Sequence, residues 1–376
     1  MRLAMVAGEA SGDLLAGLLL AGLKRRWPQL NSCGVGGPHM AEQGFETWWP
    51  HERLAVRGYV EVLRHYRALS ALRDQLAERL LQDPPAAFVG VDAPDFNLGL
   101  ERKLKCAGIK TVHFVCPSIW AWRGGRASKM AASADHVLCL FPFEPALLQV
   151  HGVKASYVGH PLADAIPLEV PRTASRNALG LSEADTVVAI LPGSRRSEIA
   201  AIGPRFLQAA ALLHSQRPGL RFVLPVVPGL RGLLAPLIAA HAPNLPLQLV
   251  QGQSHVVLAA CDVTLIASGT ATLEAALFKR PMVIGYRMNP LSWQIMKRLR
   301  YQPWVGLPNI LSGEFVVPEL IQEDCRADKL AAAVLDWLDR PAAAQALVRR
   351  FEDLHHQLRQ DMALRATDAI AQVLGH

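Results

Sequence analysis

Ala87-Phe88-Val89-Gly90-Val91-Asp92-Ala93-Pro94-Asp95-Phe96-Asn97 passes from five apolar or small residues directly into two carboxylates and a proline. A short apolar run without polar alternation reads as a strand buried on both faces. Residues 97–107 then take up helical spacing. A buried strand that hands over to a helix within a few residues is the repeating unit of a parallel sheet covered by helices. The same alternation extends outward in both directions. Further strands are expected at 3–7, 31–35, 111–115, 136–140 and 155–158, with helices at 14–26, 59–81 and 126–133. Three prolines between 161 and 171 mark a linker, after which the pattern restarts. Strands are expected at 187–191, 221–226, 248–250, 263–267 and 282–284, and helices at 199–217, 233–241, 255–260 and 270–278. The tail, 328–374, reads as helical, with Leu347, Phe351, Leu354 and Leu358 on one stripe. The fold class is therefore α/β, with two Rossmann-like parallel-sheet domains in series facing a cleft. A length of 376 residues also exceeds what one core usually serves.

Composition narrows the function classes. Hydrophobic residues make up 51% and charged residues 19%, which excludes a disordered chain. No apolar run approaches the ~20 residues of a spanning helix. The longest, 14–23, ends at Lys24-Arg25-Arg26, and only Arg2 precedes the first strand, unlike a signal peptide. A cytoplasmic protein is expected. Six scattered cysteines, with no CxxC and no histidine at ligand spacing, read as core thiols in a reducing compartment, with no metal site. The net charge of +7 favours polyanions: nucleic acid, an anionic membrane or phosphorylated substrates. The arginines are spread out and no nucleic-acid recognition motif occurs, so nucleic acid is not an expected partner.

Ligands of parallel sheets bind beyond the carboxyl ends of strands, so the residues there carry the chemistry. The first strand ends in Gly8-Glu9-Ala10-Ser11-Gly12-Asp13. Ser11 or Asp13 could cap the next helix, whereas Glu9 has no architectural task. This is not GxGxxG, which leaves no dinucleotide cofactor to expect. Asp92 leaves its strand with no capping task and is the preferred general base. Asp95 competes for that role, although Asp95 or Asn97 could instead cap the following helix. Trp120 and Trp122, beside Arg123, form either an acceptor platform or core. Leu191-Pro192-Gly193-Ser194-Arg195 offers free backbone N–H groups, a helix dipole and a guanidinium to a diphosphate, without a Walker lysine. Ser268-Gly269-Thr270 repeats that device, with Thr270 as a cap and Glu274 one turn on, suited to ribose hydroxyls. Tyr286 follows the last of these strands, and Asn309 sits in an expected loop, as a base or phosphate contact or as a turn residue.

Taken in order, Gly8 to Asp13, Gly90 to Asn97, Pro117 to Arg123, Leu191 to Arg195 and Ala267 to Thr270 form a set that closely resembles the lipid-A-disaccharide synthase family, nearly end to end. The resemblance implies a GT-B fold and an inverting glycosyltransferase. Its donor is a UDP-sugar, UDP-2,3-diacylglucosamine, and its acceptor an acylated glucosamine phosphate, 2,3-diacylglucosamine 1-phosphate. The products are a β-1,6 disaccharide and UDP. It further implies Asp92 as base for the acceptor 6-hydroxyl, with Glu9 and Asp95 in the same catalytic motifs. Arg195 and Asn309 contact the diphosphate or its surroundings. No metal and no cofactor are expected, in keeping with the absence of an Asp-x-Asp motif. The implied domains are 1–165 on the acceptor and membrane side, 172–341 on the UDP-sugar side, and 342–376 crossing back to the first.

An acylated substrate implies peripheral contact with the cytoplasmic face of the inner membrane. Val60, Val62, Leu63, Tyr66 and Leu69, interleaved with Arg57, Arg64, Arg67 and Arg73, form a basic amphipathic stretch suited to that, or else an ordinary core-facing helix. A homodimer is compatible with all of this. The competing readings are another UDP-sugar enzyme of the same shape, a peptidoglycan-type transferase or an epimerase, and a non-catalytic nucleotide-sugar or lipid-binding scaffold.

Overall fold

The computed structural model of the chain describes residues 1–54, 59–120, 125–289, 293, 294, 296, 297 and 301–375, with 59–66 described in backbone only. Two compact units emerge: Met1–Asp164 together with Gln357–His376, and Ala165–His356.

In the first unit the elements run β1 (Arg2–Ala7), α1 (Ala10–Arg26), β2 (Asn31–Gly36), α2 (Pro38–Glu42), β3 (Glu46–Pro50), α3 (Tyr59–Gln82), β4 (Ala87–Val91), α4 (Pro94–Cys106), β5 (Lys110–Phe114), α5 (Arg126–Ser133), β6 (His136–Cys139), α6 (Glu144–Gln149), β7 (Ala155–Tyr157) and α7 (Pro161–Ala165). All seven strands pair in parallel in the order β3-β2-β1-β4-β5-β6-β7. Successive side chains point to opposite faces. Leu3 and Met5 therefore meet Leu19, Leu20 and Leu23 of α1, while Ala4, Val6 and Phe88 meet Leu76, Leu80, Leu100 and Leu104 on the other side. Burial on both faces is why these strands read as unbroken apolar runs.

The second unit runs α8 (Arg172–Ala178), β8 (Thr186–Leu191), α9 (Arg196–Gln216), β9 (Leu220–Val226), α10 (Arg231–His241), β10 (Leu247–Gln251), α11 (Ser254–Ala260), β11 (Val263–Ala267), α12 (Thr270–Leu277), β12 (Met282–Tyr286), α13 (Leu307–Ser312), β13 (Glu319–Ile321), α14 (Ala327–Asp339) and α15 (Pro341–Leu358). Its parallel sheet has the order β10-β9-β8-β11-β12-β13. Val188 and Ile190 pack on Ile199, Ile202 and Phe206 of α9 and on Leu330 and Val334 of α14. Both units are Rossmann-like, and the architecture is that of the GT-B fold.

The tail is not one helix. It breaks at Pro341 and again at 359–361, and its last piece, α16 (Met362–Leu374), lies against α1 in the first unit. Met362, Ala366 and Ile370 join the same core cluster as Leu3 and Met5. Asp164 fixes the start of α16: its carboxylate accepts from the N–H groups of Gln360, Asp361 and Met362 at 3.1, 3.0 and 2.7 Å. Leu347, Phe351, Leu354 and Leu358 are all buried, as their spacing predicts.

Three local expectations are corrected. The expected linker after 160 opens with a helical turn, α7. The edge strands β3 and β13 escaped the sequence pattern because they are short and half-exposed, so neither forms an apolar run. Asn309 lies in the first turn of α13, with Pro308 just before it, and not in a loop. No helix among the described residues is long and apolar enough to cross a membrane.

α1 and α16 approach closely because Gly22 has no side chain: a Cβ there would stand 2.6 Å from the Ala363 carbonyl oxygen. Gly22→Val should cost about 1–3 kcal/mol by overpacking and lower the urea midpoint. Gly219→Ala, which faces open space, is the control and should stay within about 0.5 kcal/mol of wild type.

Candidate active site

Each sheet reverses its strand order once among the described strands, and a ligand crevice opens where the helices on either side diverge. In the first unit the reversal lies between β1 and β4. Ala7 pairs with Val91 and Val91 with Phe114, so Gly8, Asp92 and Val115 leave three adjacent strand ends side by side. The backbone there is strained. Asp92 and Ala93 have φ of 51° and 42°, and Val115, a β-branched residue, has φ of 80°. Each such residue costs roughly 1–3 kcal/mol, and strain of this kind gathers where a fold fixes a functional group. The Asp92 N–H donates to the Phe114 carbonyl at 2.8 Å. Its half-buried carboxylate accepts no hydrogen bond from any described residue.

The neighbouring candidates divide. Glu9 and Ser11 are exposed at the start of α1, where Glu9 is the N-cap residue without a side-chain bond. Asp13 does not cap α1. It is buried, and its carboxylate accepts from the N–H groups of Gly37, His39 and Met40 at 2.7, 2.9 and 3.2 Å, capping α2 instead. Neither Asp95 nor Asn97 caps α4, whose N-cap is Ala93. Asp95 is 84% exposed and takes both its hydrogen bonds, 2.7 and 2.9 Å, from Arg126. Trp120 donates to the buried carboxylate of Glu144 at 3.1 Å and meets Phe141 and Phe143 edge-on. Burial pushes the Glu144 carboxyl up to about 7, against the pull of the Phe141 N–H and the indole. Glu144, Cys116 and Cys139 bring ligand-type atoms within 4.8 Å of one another, a buried trio drawn from three different elements that no spacing in the sequence revealed. Trp122 and Arg123 lie outside the described residues, as do the side chains of Val60, Val62, Leu63 and Tyr66; Leu69 is half-buried.

In the second unit the reversal lies between β8 and β11, and a cavity of about 390 Å³ opens beyond their ends. Gly193, Ser194, Arg195, Ser268, Gly269, Thr270 and Glu274 all line it, so two motifs offset by 75 residues in sequence (268 − 193) form one pocket. The first turn is not wholly open, contrary to its sequence reading. Glu198 reaches back to the N–H groups of Ser194 and Arg195 at 3.0 and 3.3 Å, and to the Arg195 guanidinium at 2.7 Å. Arg195 is nonetheless 69% exposed. Thr270 does not cap α12: Gly269 is the N-cap, at φ +145°, and Ser268 donates to the Val305 carbonyl at 3.0 Å. Glu274 lies 3.8 Å from His255, a residue the sequence did not single out. The Glu274 hydrogen bond raises His255 above the usual imidazole value, against the effect of burial. Tyr286 is raised by burial and by Glu198 nearby. Asn309 is fully buried and spent. Its amide donates to Val317 O and Glu319 at 2.9 and 2.8 Å, and its oxygen accepts from Val316 and Val317 at 2.8 and 2.9 Å. These bonds hold α13 to β13.

Residues 3–372 match the family model described as lipid-A-disaccharide synthetase. The chain belongs to the lipid-A-disaccharide synthase family. It is 58% identical over 379 residues to the lipid-A-disaccharide synthase of Albidiferax ferrireducens, covering all of this chain and 97% of that one. With the enzyme of that name from Burkholderia pseudomallei the identity is 54% over 376 residues, covering 100% and 97%. Among solved structures, a UDP-GlcNAc 2-epimerase from Neisseria meningitidis bound to UDP-GlcNAc superposes with a TM-score of 0.65 at 11% identity, covering 100% and 99%. A UDP co-structure of S. aureus MnaA gives 0.66 at 11%, covering 100% and 97%. At such identity these two share the fold alone.

In this lipid-A-disaccharide synthase family member a buried polar cluster lies directly beneath Asp92. Asn97 is fully buried and donates to the carbonyls of Val6, Val91 and Asp92 at 3.4, 3.3 and 2.8 Å, tying α4 to both strands of the reversal. One turn on, Glu101 lies 2.7 Å from His113, both fully buried. His113 pairs with Gly90 across β4 and β5. A Cβ at Gly90 would stand 2.2 Å from the Glu101 carboxylate, so glycine is what lets that carboxylate cross the strand. Asn97 Oδ1, Glu101 Oε2 and His113 Nε2 have no partner among the described residues. The i, i+4 spacing of Asn97 and Glu101 was legible; His113, at an expected strand position, was not. Glu101→Leu strands a buried histidine and should cost about 1–3 kcal/mol, read in thermal unfolding, and should lower kcat further than it raises any KM. Glu101→Gln should recover most of both.

Proposed function

We propose that this chain catalyses its family's reaction, an inverting transfer of 2,3-diacylglucosamine from its UDP derivative to the 6-hydroxyl of 2,3-diacylglucosamine 1-phosphate. The products are the β-1,6 disaccharide 1-phosphate and UDP. The observation that carries the mechanism is the Asp92 carboxylate, without a partner among the described residues and held at the strand reversal by a strained turn and a buried polar cluster. A base needs a free acceptor oxygen and a fixed position more than it needs neighbours.

In this reading the acceptor 6-oxygen attacks the anomeric carbon of the donor while its proton passes to Asp92. The anomeric carbon–oxygen bond to UDP breaks with inversion, and the electron pair leaves with the diphosphate. One displacement requires no covalent nucleophile. The departing charge is met by Arg195, by the start of α9 and by the Ser268-Gly269-Thr270 turn at the start of α12. Arg195 can leave Glu198 at small cost, because an exposed pair of this kind contributes about 0–1 kcal/mol. Glu274 is assigned to the ribose, and His255 orients it. Glu9, Ser11 and Tyr286 line the substrates. The acylated substrates put the protein at the cytoplasmic face of the inner membrane, in peripheral contact through the stretch from Val60 to Leu69.

Asp92→Asn should lower kcat by about 10²–10⁴-fold with UDP affinity retained, read as acceptor-dependent UDP release and as UDP titration. Release that needs no acceptor would instead indicate a hydrolase or epimerase. An unimpaired variant would move the base to Glu9 or Asp95.

A further inference from the structure

A groove of about 310 Å³ runs between α4 and α5 of the first unit, and its upper end is Pro94 and Asp95, next along the chain from the Asp92 turn. Both helices start at the carboxyl edge of the sheet, so the groove descends from the proposed base along the flank of the unit. Its charge is lopsided. Arg126 and Lys129, one turn apart on α5, and Arg102 on α4 line it, with Asp95 as its one carboxylate. Neither Arg102 nor Lys129 forms an ion pair among the described residues. At Gly99, on the same wall, the guanidinium of Arg73 approaches from behind: a Cβ there would meet its Nη1 at 2.9 Å. The Arg73 Nε is buried without a partner among the described residues.

The single ion pair in the groove is asymmetric as well. The Arg126 side chain is 17% exposed and so held within the groove, whereas Asp95 is 84% exposed at its rim. A rim carboxylate in water holds a cation weakly. A phosphate monoester carries close to two negative charges and three acceptor oxygens, and it suits a guanidinium with an ammonium one turn away.

We propose that the α4–α5 groove is the subsite for the phosphate monoester of the acceptor, with Arg126 and Lys129 as its direct contacts and Asp95 as the counter-ion that the phosphate displaces. The proposal rests on the acceptor reading given under Proposed function. In that acceptor the 6-hydroxymethyl group and the anomeric phosphate are borne by C5 and C1, the two carbons that flank the ring oxygen, so one sugar ring sets the distance between them. A hydroxyl at Asp92 therefore directs the phosphate toward an anion site beside the Asp92 turn. The groove also gives Asp95 a task of its own, as the exchangeable counter-ion of Arg126.

The test compares 2,3-diacylglucosamine 1-phosphate with the same sugar lacking its phosphate, in detergent, for wild type, Lys129→Ala and Arg126→Ala. The expected result is a rise of at least about tenfold in KM for the phosphorylated acceptor, the size of one charged hydrogen bond. Donor KM should be unchanged, and all three proteins should use the unphosphorylated sugar equally poorly. Lys129 is exposed on its helix, so its variant keeps the test valid if Arg126→Ala folds poorly. Undiminished preference for the phosphorylated acceptor in both variants would overturn the subsite while leaving the transferase intact. So would a loss of binding to phosphatidylglycerol vesicles with that preference unchanged, which would make the groove a lipid-headgroup site. Wild type that forms no disaccharide from either sugar would overturn the functional reading itself.

Discussion

The reversal of strand order between β1 and β4 is the constraint on which the first unit depends. Parallel pairing sends α1 and α4 away to opposite faces, and the gap between their starts cannot be closed by either helix. What could collapse it is the loose end of β4. Asn97 prevents that by binding carbonyls on both sides of the reversal and on Asp92 itself. Glu101 and His113 repeat the bond one turn lower, through the space that Gly90 leaves. The positive φ values of Asp92, Ala93 and Val115 are sustained because these buried bonds leave the turn no relaxed alternative.

The second unit uses the same geometry for opposite chemistry. At its reversal the strand ends carry hydroxyls, glycines and arginine in place of unpaired carboxylates, and the starts of α9 and α12 converge on one cavity. In the proposed reaction the first unit would supply the proton acceptor and the second the place for negative charge. A glycosyl transfer with a diphosphate leaving group requires both.

Two cations that the proposed reaction would use are held by carboxylates of the chain itself. Glu198 occupies Arg195 and two turn N–H groups, and Asp95 occupies Arg126. Both pairs have an exposed member, so both are weak. Asn309 contrasts with them: the residue is fully buried and all four of its hydrogen bonds are internal.

By itself the sequence determined the α/β class, the two-part repeat and nearly every strand, because strands buried on both faces leave unbroken apolar runs. It also determined which turns stand at strand ends, since Asp92, Arg195 and Ser268-Gly269-Thr270 follow such runs directly. Edge strands β3 and β13 stayed hidden because half-exposed backbone needs no apolar pattern. Only the tertiary structure decided partners. Asp13 serves a helix 24 residues on, Asp95 answers to Arg126, and Glu274 answers to His255, each through contacts that sequence spacing does not encode. Likewise α16 joins the first unit because its apolar stripe finds α1 at Gly22. Sequence records which groups a strand end presents; which of them remain free for a substrate depends on what folding brings within hydrogen-bonding reach.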